Sequence, residues 1–232
     1  MRIGGLQKNS LIDYPGKISS VIFFSGCNFD CPYCHNPDLA RGCLSCSAGF
    51  SCADICDFLQ IRRGFLDGVV ISGGEPTLDD NLVDFCVHIK QLGYPIKLDT
   101  NGSRPQVLKQ LLDDGLIDYI AMDLKTDPIL YGAYITANSN PDPILTSIRY
   151  VMESGIDYEF RTTCVKPIVT PQTIENISLL IHGARLYVLQ RFNHHQVLHP
   201  EFFRDHNYAY TAEELVQLKA IAEQSVANCI IR

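Results

Sequence analysis

The sequence has no run of basic residues and no long apolar segment. Its 232 residues include 19 lysines and arginines against 26 acidic residues, which gives a net charge of −7. Because nucleic-acid surfaces need clustered positive charge, this composition argues against nucleic-acid binding. No apolar run approaches the ~18 residues that cross a bilayer, and the first residues lack the apolar centre of a signal peptide. We therefore expect a cytoplasmic protein that binds neither nucleic acid nor a membrane.

Internal repeats and low-complexity linkers are also missing. The chain is 46% hydrophobic and 19% charged, which is typical of an ordinary globular core. Its length suits one α/β domain of barrel size. We predict a single domain over residues 1–232, with a lead-in over 1–20, a cysteine loop over 25–36 and a connection with further cysteines over 41–56. In a reducing compartment, the ten cysteines are better explained by metal or cluster chemistry than by disulfides.

The most informative stretch is Ser25-Gly-Cys-Asn-Phe-Asp-Cys-Pro-Tyr-Cys-His-Asn36, which follows the apolar run 21–24. It places Cys27, Cys31 and Cys34 in a C-x3-C-x2-C spacing. Three thiolates this close in sequence can converge on one soft metal centre. Zinc and iron–sulfur clusters prefer four ligands, so three cysteines leave one position for a further molecule. A structural zinc loop and three unligated core cysteines are the alternatives for the loop alone.

The rest of the chain alternates between strand and helix patterns. Residues 2–17 are interpreted as a hairpin or an irregular strand. The predicted strands cover 21–24, 69–72, 96–100, 119–123, 158–164 and 186–190. The predicted helices cover 55–63, 81–92, 106–114, 143–153, 173–181 and 212–224. Such alternation predicts parallel strands covered by helices. Because eight units close a full barrel, we predict an α/β fold of the incomplete (β/α)6 barrel type, laterally open.

Polar residues follow several of the predicted strands, at the ends where parallel α/β proteins gather their chemistry. Gly73 and Gly74 follow the second strand and would let a backbone approach a ligand closely. Glu75, the next residue, could accept a hydrogen bond from an ammonium group. A plain strand-to-helix turn is the alternative. Asn101 lies in the Asp-Thr-Asn-Gly turn after the third strand and could contact a ligand. A capped turn is the alternative.

Charged residues occur on the fourth and fifth predicted strands. Asp123 and Lys125 are two residues apart, which points both side chains to one face of a strand. A surface ion pair is the alternative. Arg161 lies inside an otherwise apolar strand. Since an unpaired buried guanidinium is costly, Arg161 should contact a carboxylate, either that of a ligand or that of Asp99 or Asp123.

These motifs together resemble the radical S-adenosylmethionine superfamily, whose cysteine loop has the same spacing and favours an aromatic residue at the position of Tyr33. Within it, the chain resembles the anaerobic ribonucleoside-triphosphate reductase activating proteins, which are glycyl-radical-enzyme activating enzymes. The resemblance extends over nearly the whole chain. It rests on segments 3–8, 11–17, 26–37, 63–68, 98–103 and 121–125.

The resemblance implies a 4Fe–4S cluster on Cys27, Cys31 and Cys34, whose fourth iron chelates S-adenosylmethionine. It assigns cofactor contacts to Tyr33, Gly73, Gly74, Glu75, Asn101, Asp123, Lys125 and Arg161. Reduction by a flavodoxin or ferredoxin would cleave S-adenosylmethionine to methionine and a 5′-deoxyadenosyl radical. That radical would take hydrogen from a glycine of an anaerobic ribonucleoside-triphosphate reductase.

Two other functions remain open at this point. One is a radical enzyme acting on a small molecule, as in 7-carboxy-7-deazaguanine synthases. The other is a non-catalytic iron–sulfur or zinc protein. An incomplete barrel with an open side suits an extended peptide better than an enclosed metabolite, which is normally mostly buried.

The connection after the cysteine loop departs from the family's pattern. Four thiols could form a second metal site, although the last falls on the first predicted helix: Cys43, Cys46, Cys52 and Cys56. Three cysteines stand alone in apolar settings and are predicted to be core residues: Cys86, Cys164 and Cys229. Three histidines are interpreted as rim residues of the active-site mouth: His194, His195 and His199.

Overall fold

A computed structural model describes residues 1–42, 49–137, 140–193, 196–204 and 208–232. Its strands are β1 (Ile3–Ser10), β2 (Ser19–Phe24), β3 (Gly68–Gly73), β4 (Ile96–Thr100), β5 (Tyr119–Asp123), β6 (Asp157–Cys164), β7 (Tyr187–Arg191) and β8 (Cys229–Ile231). They belong to one mostly parallel sheet in chain order. In the part of the chain that is described, β1 and β8 are its two edges, so the sheet is not closed. The predicted α/β fold with an incomplete barrel is confirmed.

Helices alternate with these strands. They are α1 (Pro37–Ala40), α2 (Cys52–Ile61), α3 (Leu82–Gln91), α4 (Pro105–Asp113), α5 (Tyr131–Tyr134), α6 (Asp142–Glu153), α7 (Pro171–Leu180) and α8 (Ala212–Ala222). None of the helices in the described ranges is long and apolar enough to cross a membrane.

The chain divides into two compact units. Unit 1 consists of Met1–Asn28, Asp38–Thr100 and Gln106–Ile120, and unit 2 of Phe29–Pro37, Asn101–Pro105 and Ala121–Arg232. The single domain expected over 1–232 stays a prediction.

Unit 1 is built on β2, β3 and β4, which pair in parallel, while β1 pairs antiparallel with β2. Helix α3 buries Leu82, Phe85 and Ile89, which share one helix face because they recur at three- and four-residue intervals. The ring of Phe85 meets the ring of Phe24 edge to face, with centroids 6.0 Å apart. This contact anchors the end of β2, directly before the cysteine loop.

In unit 2, β6, β7 and β8 pair in parallel. Helices α7 and α8 pack together and bury apolar side chains that include Ile177 and Leu218. Both helices begin at a threonine whose hydroxyl accepts a hydrogen bond from a backbone amide three residues later: Thr170 for α7 and Thr211 for α8.

The predicted elements are all present. Strands β4 and β5 have the predicted limits, and the other predicted strands and helices differ at their ends by one to three residues. The largest shift is in α2, which begins at Cys52 because Ser51 and Asp54 form a reciprocal capping box. That Ser-x-x-Asp signal was available in the sequence.

Two strands were not among the six predicted. The strand β1 contains Gly4-Gly5 and a polar segment, residues that favour strands weakly, and its pairing with β2 has register shifts. It lies inside residues 2–17, the segment interpreted as a hairpin or an irregular strand. The strand β8 has three residues, too few to show any periodicity.

The isolated cysteines are core residues, as predicted. Cys86, Cys164 and Cys229 are fully buried. Burial raises the pKa of each thiol to about 12. They therefore remain protonated and unreactive at neutral pH.

Candidate functional site

In unit 1, backbone hydrogen bonds hold the segment between the end of β2 and Cys27. The amide of Gly26 donates to the carbonyl of Leu39 at 2.7 Å, and the amide of Cys27 donates to that of Ala40 at 3.0 Å. Gly26 has a φ of +98°, a conformation that side chains with a Cβ rarely adopt. The start of the cysteine loop is thus fixed by α1 rather than by the loop itself.

The two glycines after β3 allow a close backbone contact. A Cβ on Gly73 would lie 2.2 Å from the carbonyl oxygen of Phe24, and one on Gly74 would lie 2.1 Å from that of Gly26. The amides of Gly74 and Glu75 donate to these same carbonyls at 2.9 and 2.8 Å. The glycines were predicted to admit a ligand. In unit 1 their geometry already requires glycine for the fold, because the β3 turn lies against the end of β2.

Glu75 is buried and oriented by hydrogen bonds. One carboxylate oxygen accepts from the amide of Thr77 at 3.1 Å, from the hydroxyl of Thr77 at 2.5 Å and from the hydroxyl of Thr100 at 2.8 Å. Glu75 is 2% exposed. Thr100 is the last residue of β4, so this carboxylate joins the ends of β3 and β4.

A second polar group in unit 1 was missed by the sequence analysis. Lys97 lies in β4 and forms an ion pair with Asp99, although only 2% of its side chain is exposed. The other carboxylate oxygen of Asp99 accepts a hydrogen bond from the hydroxyl of Ser72, at 3.0 Å. The signal was present, because a lysine between Ile96 and Leu98 is as unexpected as an arginine in β6.

In unit 2, Cys31 and Cys34 lie at the two ends of a turn. The amide of Cys34 donates to the carbonyl of Cys31 at 3.0 Å, and neither cysteine is in a disulfide. Between them, Tyr33 is buried and donates its hydroxyl to the carbonyl of Lys125 at 3.2 Å. Burial raises the pKa of Tyr33 well above its usual value, so its hydroxyl stays protonated. Tyr33 thereby connects the cysteine turn to the end of β5.

Tyr131 supports the same region from α5. Its hydroxyl accepts a hydrogen bond from the amide of Lys125 at 3.0 Å. Its ring meets that of Phe29 edge to face, with centroids 5.6 Å apart. The amide of Asp30 donates to the carbonyl of Ile135 at 2.7 Å. Helix α5, which the sequence did not predict, therefore positions the residues before Cys31.

Asp123 is the centre of a charge cluster in unit 2. Arg161 donates from Nε to one carboxylate oxygen at 2.7 Å, and Lys125 donates from Nζ to the other at 2.9 Å. Burial by itself favours the neutral acid, but the charges of Arg161 and Lys125 outweigh it and hold the pKa of Asp123 well below its usual value. All three groups are charged at neutral pH. Of the carboxylates considered for Arg161, Asp123 is the one that the structure places on its Nε.

Asn101 forms the capped turn that was left open as an alternative. Its side-chain oxygen accepts a hydrogen bond from the amide of Ser103 at 2.9 Å, and the residue is 4% exposed. Its contact with a cofactor stays a prediction.

Among the histidines interpreted as rim residues, His194 and His195 lie outside the described residues. His199 contacts Asp30 and Glu201, each at 2.8 Å from a ring nitrogen. Its own amide donates to the carbonyl of Pro32 at 3.1 Å. Hydrogen bonding to Asp30 raises the pKa of His199 above its usual value. His199 therefore holds the cysteine turn at two points.

The second cysteine group is described in part. Cys43 and Cys46 lie outside the described residues. Cys52 and Cys56 are one turn apart on α2. Burial first, and then the neighbouring Cys52, raise the pKa of Cys56 to about 11. In the ranges that the structure describes, no third metal-binding side chain joins these two thiols, so the pair gives no support to a second metal site.

The main loop offers three cysteines as ligands for an iron–sulfur cluster. In the described ranges, no group of three or more metal-binding side chains is already gathered around a metal position. The chemistry of the loop nevertheless fits a cluster, because three cysteines that are not in disulfides, Cys27, Cys31 and Cys34, lie within eight residues. Cysteine thiolates are the usual cluster ligands.

Comparisons with known proteins agree with the motifs. The sequence profile described as the Radical SAM superfamily matches residues 21–181. A putative glycyl-radical enzyme activating enzyme of Methanocaldococcus jannaschii is 34% identical, over 99% of this chain and 95% of the relative. A pyruvate formate-lyase-activating enzyme of Listeria monocytogenes is 29% identical, over 66% of this chain and 64% of the relative.

A solved structure has a similar fold. SuiB of Streptococcus suis, bound to its precursor peptide SuiA, superposes with a TM-score of 0.69 at 16% identity. The match covers 91% of this chain and 48% of SuiB, so the chain spans about half the length of that protein.

Proposed function

The chain belongs to the radical SAM superfamily, and from that premise we propose that it generates a glycyl radical on an anaerobic ribonucleoside-triphosphate reductase. The observation that carries the glycyl-radical assignment is the 34% identity, over almost the full length of both chains, to a putative glycyl-radical enzyme activating enzyme. The choice of reductase rests on the resemblance of the segments around Leu11–Lys17 and Leu98–Ser103 to the reductase activating proteins.

Cys27, Cys31 and Cys34 would hold a 4Fe–4S cluster, with the open position taken by S-adenosylmethionine. When bound, these groups supply one-electron cleavage of the sulfonium and a 5′-deoxyadenosyl radical that removes hydrogen from a glycine. The protein's own part is to bind, to orient and to exclude water. A flavodoxin or ferredoxin is the proposed electron donor, and the cytoplasm is the proposed location.

Charged side chains would orient S-adenosylmethionine. Glu75 offers a buried carboxylate already fixed by two threonines, which suits the ammonium group of the methionine portion. Gly73 and Gly74 keep this turn close to the end of β2, and Asn101 would contact the methionine or ribose portion.

The Asp123 cluster would bind a second part of the reacting complex. Arg161 and Lys125 share one carboxylate, so together the three groups leave a net positive charge. That charge suits the carboxylate of S-adenosylmethionine or a carbonyl of the incoming peptide. Tyr33 couples these charges to the cysteine turn, since its hydroxyl contacts the backbone of Lys125.

The proposal is tested with protein reconstituted anaerobically with iron and sulfide. We expect about four irons per chain and cleavage of S-adenosylmethionine after reduction. Addition of an anaerobic ribonucleoside-triphosphate reductase should then produce a glycyl radical on the reductase, seen by electron paramagnetic resonance, and pyruvate formate-lyase should stay unmodified.

Each alternative gives a different result in the same experiment. A radical on pyruvate formate-lyase alone would keep the glycyl-radical function and overturn the choice of reductase. Cleavage that depends on a small molecule would favour a synthase of the 7-carboxy-7-deazaguanine type. Absence of cleavage by iron-loaded protein would favour a non-catalytic protein.

A further inference from the structure

A lysine is buried in unit 1 at a position that the proposed function does not use. Lys97 is 2% exposed and lies in β4 between two fully buried residues, Ile96 and Leu98. Its ammonium group pairs with Asp99, two residues further along the same face of the strand. Val70, which is opposite Lys97 in β3, packs against Tyr14 in an apolar cluster. The Nζ of Lys97 also lies 6.0 Å from the centroid of the Tyr119 ring, which packs against that cluster. An ammonium in such surroundings is costly unless it is paired, and its charged partner is Asp99.

The carboxylate that Lys97 holds lies where ligands are bound in parallel sheets. Asp99 is one residue before the end of β4, and 14% of its side chain is exposed. Its second oxygen accepts from Ser72 at the end of β3. Both oxygens are therefore fixed, one by a charge in the strand and one by a hydroxyl on the neighbouring strand. Such a carboxylate is oriented in advance of binding.

The next residue connects Asp99 to the residues already assigned. Thr100 donates its hydroxyl to Glu75, so the ends of β3 and β4 are joined by two side-chain hydrogen bonds. A shift of Asp99 would move Thr100 and with it the support of Glu75. The pair thus reaches the turn proposed to hold the methionine portion of S-adenosylmethionine.

We propose that Lys97 is a positioning residue for S-adenosylmethionine, acting through the carboxylate of Asp99. The inference rests on the proposed function. Asp99 offers a fixed acceptor to the cationic or hydroxyl groups of the ligand, and Lys97 keeps that acceptor in place. Lys97 itself need not touch the ligand.

Three variants test this, each reconstituted anaerobically with its cluster. Lys97→Met removes the ammonium with little change of volume, and Lys97→Met/Asp99→Asn removes both charges. Lys109→Met is the matched control, since Lys109 lies on α4 and forms an exposed pair with Asp113. Each is measured for iron content, for melting temperature and for the dissociation constant of S-adenosylmethionine by equilibrium dialysis.

We expect Lys97→Met to lower the melting temperature by about 5 °C, because Asp99 loses its buried partner. We expect the same change to weaken S-adenosylmethionine binding about tenfold, which corresponds to one lost charged contact. The double variant should regain the melting temperature but remain as weak in binding as the single variant. Lys109→Met should match the unchanged protein in both.

The outcomes separate a positioning role from a structural one. Normal affinity in Lys97→Met would overturn the inference, because Asp99 would then work without its lysine. Recovery of both affinity and melting temperature in the double variant would also overturn it, since it would show a purely structural pair. If the unchanged, iron-loaded protein does not bind S-adenosylmethionine, the proposed function fails and the inference with it.

Discussion

The two units hold their candidate residues by different means. In unit 1 the turn that carries Glu75 is fixed by backbone contacts, and a Cβ on Gly74 would lie 2.1 Å from the carbonyl oxygen of Gly26. In unit 2 the candidates are fixed by charge, with Asp123 between Arg161 and Lys125. A steric constraint does not depend on pH or salt, whereas a charge cluster does. The candidate residues of unit 1 and those of unit 2 should therefore respond differently to substitution and to solution conditions.

The largest effect is expected from substitution of the cysteines of the loop. Cys27 belongs to unit 1, and Cys31 and Cys34 to unit 2. Replacing Cys27 or Cys31 by Ala should abolish the iron–sulfur chromophore and the cleavage of S-adenosylmethionine equally, because a cluster with two protein ligands is not retained.

The matched control for this test is Cys52→Ala, a free cysteine on α2. It should keep its iron content and its cleavage rate. Full cleavage by Cys31→Ala would show that the loop does not hold the catalytic cluster.

Gly74→Ala tests the steric constraint in unit 1. The added methyl group meets backbone that cannot move aside as a side chain could, and it displaces Gly26, the neighbour of Cys27. We expect the melting temperature to fall by about 5 °C or more, together with a loss of bound iron.

The control is Gly5→Ala, where the nearest atom to the new Cβ is a side-chain carbon of Phe23 at an ordinary 3.6 Å. It should change neither the melting temperature nor the iron content. Normal iron content in Gly74→Ala would mean that the turn does not need its close approach to β2.

Asp123→Asn tests the charge cluster in unit 2. It leaves Arg161 and Lys125 without their shared carboxylate, so we expect S-adenosylmethionine binding to weaken about tenfold. The affinity is measured by equilibrium dialysis with iron-loaded protein, and an unchanged affinity would show that the carboxylate does not position the two cations.

The pH dependence of the same variant has a defined sign. The pKa of Asp123 is lowered, because the two cations outweigh burial. Its contribution to stability is then fully present above the unfolded pKa of about 4 and is lost only as pH falls through the folded value. The difference in unfolding free energy between the two proteins should be constant from pH 5 to 8 and shrink in strong acid. A difference in unfolding free energy that changes near pH 7 would contradict the lowered pKa of Asp123.

The smallest effect is expected at His199, whose partners Asp30 and Glu201 are largely exposed. Its pKa is raised, first by the hydrogen bond to Asp30, so its contribution to stability is fully present below the unfolded pKa of about 6.5 and is lost as pH rises through the folded value. His199→Gln should lower the melting temperature by about one or two degrees at pH 6 and less at pH 9. An equal loss at both pH values would show that the charge on His199 is irrelevant.

Candidate residues that belong to a local sequence pattern could be predicted from the sequence. The cysteine spacing, the Gly-Gly-Glu turn and the Asp-x-Lys pair could all be found, because each depends on neighbours in the chain. The mirror-image Lys97-x-Asp99 pair was missed, although the cost of a buried charge applies to it as to Arg161. The partners of Arg161 and His199 could not be predicted, because they are distant in sequence and meet only through the fold.

Hydrogen transfer from a glycine of the partner reductase tests the central claim most directly. The reduced protein is mixed with S-adenosylmethionine and with a reductase whose glycines are deuterated at Cα. We predict a glycyl radical, detected by electron paramagnetic resonance, whose doublet splitting in unlabelled reductase collapses on deuteration, and deuterium in the 5′-deoxyadenosine. Absence of both the radical and the deuterium, while S-adenosylmethionine is cleaved in the presence of a small molecule, would contradict the proposed function.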